Sequence, residues 1–107
     1  MKNDNKLNIN DVKTSTLYLE EIVTVVDKIA SGFLDRETMS MALLLFFKEK
    51  KVLDKLSFTR KVLYKELQKN ISPSEYDDWL EEDCQLWKPP YDKSKNEIML
   101  MLDHIEN

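Results

Sequence analysis

Apolar positions along this chain recur at helical spacing. Leu19, Ile22, Val23, Val26, Ile29 and Ala30 mark one stripe, which predicts a first helix from about Asp11 or Thr14 to Ser31. Gly32 stands where a helix C-terminal cap belongs. The β-branched run "IVTVV" raises a strand alternative, but no apolar–polar alternation supports it. A second helix is predicted through "RETMSMALLLFFKEKK", with Asp35 as its N-cap. Its apolar run at 41–47, "MALLLFF", reads as the centre of the core, contacted on most sides, which implies a buried Leu44.

The end of that helix is not marked. "VLDKLS" either continues it or turns before Ser57 caps a third helix carrying Val62, Leu63 and Leu67. A fourth helix has the strongest start signal. Ser72 and Glu75 have capping-box spacing, Pro73 takes the first helical position, and Ile71 is placed to staple onto Tyr76. Its predicted span is 72–87, stopped by "KPPY". Ser94 and Glu97 repeat the box before a last helix with Ile98, Met101, Leu102 and Ile105 on one face.

These elements predict an all-α fold, a compact single-domain bundle of about five helices over 11–107, after a flexible, polar N-terminal segment at 1–10. Composition agrees. The 107 residues suit one domain, and a single Gly with three Pro disfavours a turn-rich β fold.

Charge and chemistry then narrow the function classes. The net charge is −4, and the cations are 14 Lys against 2 Arg, a poor complement for phosphate or guanine recognition. "MKNDNKLNIND" has no apolar core of a secretory signal, and the 41–47 run is far shorter than the ~20 residues of a membrane span. The one cysteine cannot form an internal disulfide, so a reducing, cytoplasmic setting is expected. No membrane partner is expected either.

One Gly cannot build a phosphate loop, and a Cys–His nucleophile pair would have to come from Cys84 and His104. Cys84 falls on the apolar side of the predicted fourth helix, where a small buried thiol is the expected state. His104 lies three residues from the end of the chain given. The sequence therefore predicts no enzyme and no cofactor. It predicts no metal site, because the acidic run lacks the alternating ligands and Gly turn of a calcium loop.

The acidic run is the distinctive feature. Six carboxylates occupy the nine positions 75–83, and no Lys or Arg lies between Asn70 and Trp87. On a helix, Trp79, Leu80, Cys84, Leu86 and Trp87 gather in an arc of roughly 160°, opposite Asp77, Asp78, Glu81 and Glu82. Asp77 with Glu81, and Asp78 with Glu82, are like-charge pairs, each costing about 0.2–0.5 kcal/mol. Such a row can imitate a line of phosphates. Asp83 falls inside the apolar arc: if the helix runs past residue 84 it needs a donor such as Arg60, Lys61 or the Trp79 indole, and if the helix frays near Asp83 its side chain is in water.

The resulting expectation is a regulatory or inhibitory protein that binds another protein with a basic surface. Asp77, Asp78, Glu81 and Glu82 are its contact residues, with Tyr91 as an apolar anchor. The oligomeric state is open, a homodimer included. The alternative is a helix-turn-helix nucleic-acid binder, drawing on eight Lys or Arg between 48 and 69. Its recognition helix would be the acidic one, which phosphate repels.

Overall fold

A computed structural model describes residues 8–106. Among the described residues the fold is all-α, with five helices: α1 (Ile9–Gly32), α2 (Arg36–Glu49), α3 (Val52–Gln68), α4 (Pro73–Asp83) and α5 (Lys95–Glu106). Of the segment 1–10, residues 1–7 lie outside the described residues. Asn8 caps α1, its side chain accepting from the Asp11 N–H at 3.2 Å, and residues 9 and 10 are helical.

The chain divides into two compact units, residues 1–76 and 77–107. In the first, α1, α2 and α3 pack pairwise. The face that α1 turns inward carries Ser15, Tyr18, Ile22, Val25, Val26 and Ile29, the three-and-four spacing of a helix stripe. Ile22, Phe46 and Val52 form the core, with Val25, Val26 and Ile29 packed against them. Val52 is wholly buried. Along α3, Thr59 and Val62 are also buried, and Phe58 meets Tyr18 edge-on with ring centroids 5.8 Å apart.

Three expectations about these helices need correction. Residues 41–47 are not surrounded: Phe46 is buried, whereas Leu44 is 57% exposed. Met41, Leu45 and Phe47 are also exposed. A continuous apolar run puts side chains all round a helix, but α2 has neighbours on one side only, so the rest face outward. Gly32 is not a left-handed cap. It is the last residue of α1, no glycine has positive φ, and extended Phe33 ends the helix.

The α2–α3 boundary is the third. Ser57 does not cap α3; it lies inside that helix. The break is a tight turn at Lys50 and Lys51, with Lys51 in the left-handed region at φ 50°, ψ 52°. The Lys50 N–H closes α2 on the Phe46 carbonyl at 3.0 Å. Asp35 caps α2 as expected, accepting from the Thr38 N–H at 2.6 Å and the Thr38 hydroxyl at 3.0 Å. These donors hold the Asp35 carboxyl below its ordinary value.

Candidate functional site

The start of α4 is built as its sequence dictates. The Ser72 N–H donates to Glu75 Oε1 at 2.9 Å, and the Glu75 N–H donates to the Ser72 hydroxyl at 3.2 Å. The Ser72 backbone donor, followed by its hydroxyl, holds the Glu75 carboxyl below the ordinary 4.5. Pro73 opens the helix, where a missing N–H costs nothing. Tyr76 packs edge-on against Tyr64 of α3, ring centroids 4.6 Å apart. The first turn of α4 is thereby fixed at both backbone and side-chain level.

Beyond that turn the helix belongs to the second unit, in which no described residue is buried. Asp77, Asp78, Glu81 and Glu82 are all exposed. They form two i,i+4 rows, and none of the four is in an ion pair among the described residues. Such a field of like charge costs helix stability and attracts cationic surfaces at a distance.

Helix α4 ends at Asp83, one turn short of the predicted span. Its last turn carries Glu81, Glu82 and Asp83 and no basic residue, so every formal charge there opposes the helix dipole. The early end overturns two expectations and decides a third between its alternatives. Cys84 is exposed, not buried on a helix face. Asp83 is exposed, so it needs no buried donor. Leu86 and Trp87 leave the helical arc and stand 87% and 77% exposed.

Tyr91 follows the Pro pair in a turn, its N–H donating to the Pro89 carbonyl at 2.8 Å, and it is 86% exposed. Residues 77–91 thus combine an acidic helix with three large apolar side chains open to solvent. The sequence led us to expect the carboxylates and Tyr91 to be exposed, but not Leu86 and Trp87. The signal that could have found them was the uncompensated negative charge of the last α4 turn.

The second capping box also forms, with the Ser94 N–H donating to Glu97 Oε1 at 2.9 Å and the Glu97 N–H to the Ser94 hydroxyl at 3.2 Å. His104 on α5 is exposed. Among the described residues no group of three His, Cys, Asp or Glu side chains converges to hold a metal. No described helix is long and apolar enough to cross a membrane.

A second candidate lies within the first unit. An open groove of about 520 Å³ runs along α3, lined by Phe58, Tyr64 and Tyr76 together with Arg60, Lys61, Asp54 and Ser57. It combines aromatic faces with two cations. Compared with protein-family models, curated proteins and solved structures, the chain matches none.

Proposed function

We propose that this chain is a non-enzymatic regulatory or inhibitory protein that acts by docking the acidic face of α4 on a basic surface of another protein. One observation carries the reading: Asp77, Asp78, Glu81 and Glu82 stand exposed as two parallel rows, at a cost in helix stability. A local rule broken without a gain inside the fold is best explained by a gain outside it. The carboxylates supply steering and register, while tight affinity needs desolvated apolar anchors. Tyr91 is joined in that role by Leu86 and Trp87, which the early end of α4 leaves open to solvent.

The partner is a protein rich in Lys and Arg at its contact surface. Its identification uses two baits in a host extract: the wild-type chain, and the variant Asp77→Asn, Asp78→Asn, Glu81→Gln, Glu82→Gln. A protein retained by the first and lost by the second is the expected result. Equal recovery on both baits, for every captured protein, removes the acidic face from the account.

Nucleic-acid binding is the second reading, and one observation favours it. Arg60 and Lys61 share a groove with Phe58, Tyr64 and Tyr76, the pairing of cations and stacking faces that single strands use. Its helix-turn-helix form would send α4 into a groove of DNA, carboxylates first. A mobility shift on random duplex or single strand that weakens steeply with salt favours this reading.

A further inference from the structure

The groove along α3 extends further than its first hollow. A second open hollow of about 400 Å³ adjoins it toward the start of the helix and shares Asp54 and Phe58 with it. Together they form a continuous groove within the first unit, walled by two edge-on aromatic pairs, Tyr18 with Phe58 and Tyr64 with Tyr76. Its cations are Lys50, Lys51, Lys55, Arg60 and Lys61. Lys55 is held by Glu21, whereas none of the other four is in an ion pair among the described residues. Glu49 and Asp54 are the acids of the lining.

We propose that this groove binds the acidic, aromatic segment 77–91 of a second copy of the chain. Five carboxylates at 77–83, with no cation among them, meet the four unpaired cations. Eight of the chain's 16 Lys and Arg lie between 48 and 69, so the basic surface that the acidic face of α4 needs is present in the chain itself. The inference rests on the docking reading of α4 and names a partner for it. A basic host protein then competes with the second copy for the same carboxylates.

The apolar parts match as well. Leu86, Trp87 and Tyr91 are open to solvent on the segment, and the groove offers ring faces for them to pack on. At on the order of 200 Å² for a fully exposed large side chain, the three carry roughly 500 Å². A stable interface takes about 800 Å² from each partner, somewhat over half of it apolar, and the carboxylates supply the polar remainder. Glu49 and Asp54 separate this occupant from a nucleic-acid strand. A phosphate chain laid along the groove meets both carboxylates. On a peptide, the Trp87 indole N–H and the Tyr91 hydroxyl are donors suited to them.

Two variants and their mixture provide the test, by sedimentation equilibrium on the full chain over a concentration series up to roughly 1 mM. One variant loses the acidic row (Asp77→Asn, Asp78→Asn, Glu81→Gln, Glu82→Gln), and the other loses groove cations (Arg60→Gln, Lys61→Gln). All six positions are exposed, so both variants should keep the helical circular-dichroism signal. The wild type should self-associate, and more weakly as salt rises. Each variant alone should associate about tenfold more weakly or less. An equimolar mixture should regain a complex of one copy of each and nothing larger, because one variant supplies the groove and the other the segment. A wild type that stays monomeric throughout the series overturns the inference, whether the groove is bare or takes another ligand. So does self-association that either variant leaves intact, or a mixture no stronger than its components. A monomer that still retains a host protein through its α4 carboxylates overturns this inference alone and leaves the docking reading standing.

Discussion

The Lys55 ammonium lies 2.6 Å from Glu21 Oε1, tying α3 to α1, and sits 5.5 Å from the centre of the Tyr18 ring. The hydrogen bond from Lys55 is the main cause that holds the Glu21 carboxyl below its ordinary 4.5; burial opposes it in part, and the charges of Lys55 and Lys50 add smaller lowering effects. A carboxyl whose folded pKa is lowered contributes stability that is fully present above its unfolded value. That stability is lost as pH falls through the folded one.

Acid should therefore loosen the α1–α3 contact in the window from about 4.5 downward. Glu21→Gln should lower the melting temperature at neutral pH and narrow its gap to wild type below that window. Thermal melts across a pH series check this. A gap that stays constant with pH would show that the ion pair contributes nothing.

The position of Phe46 against that of Leu44 defines the core of the first unit. Phe46 is buried, so Phe46→Ala should cost about 3–5 kcal/mol. That is a large share of the ~5–15 kcal/mol that holds a typical domain together. Leu44→Ala, on the outer side, should cost less than about 1 kcal/mol. Urea unfolding of the two variants measures both costs. Equal costs would restore the surrounded-helix picture that the structure has replaced.

Lys51 occupies a conformation that suits glycine. An L-residue there carries a steric penalty of roughly 1–2 kcal/mol, which glycine avoids at some cost in chain entropy. Lys51→Gly should accordingly gain about 0.5–1 kcal/mol, and Lys51→Val should lose stability because a β-branched side chain fits least well. Urea melts of the two variants should move in opposite directions. Loss of stability in the glycine variant would mean that the Lys51 side chain contributes more than its backbone costs.

What could be read from the sequence follows the range of each interaction. Both capping boxes and the Asp35 cap were legible, because a cap is decided by residues three apart. The class of the fold was legible for the same reason, since stripes at helical spacing and a lack of Gly are local features. The turn at Lys51 was not, because nothing in a lysine announces a left-handed backbone. Burial in α2 was not, because "MALLLFF" reads the same whether a helix has neighbours on every side or on one. The end of α4 depended on competition. Pro89 sets only the latest possible stop, and the charges at 81–83 ended the helix sooner. Of the candidate site, the carboxylates and Tyr91 were legible. The exposure of Leu86 and Trp87 followed from that early stop and was missed with it.

The exposed carboxylates of α4 carry the proposed docking. Once the captured partner is purified, stopped-flow association at low and high salt measures their role directly. Replacing Asp77, Asp78, Glu81 and Glu82 by their amides should leave the helical signal unchanged or slightly raised, since two repulsive pairs disappear. Association at low salt should slow by about tenfold or more and lose most of its salt dependence. A variant that associates as fast as wild type at low salt, with the same salt dependence, would contradict the proposed docking and leave the acidic face a solvated surface.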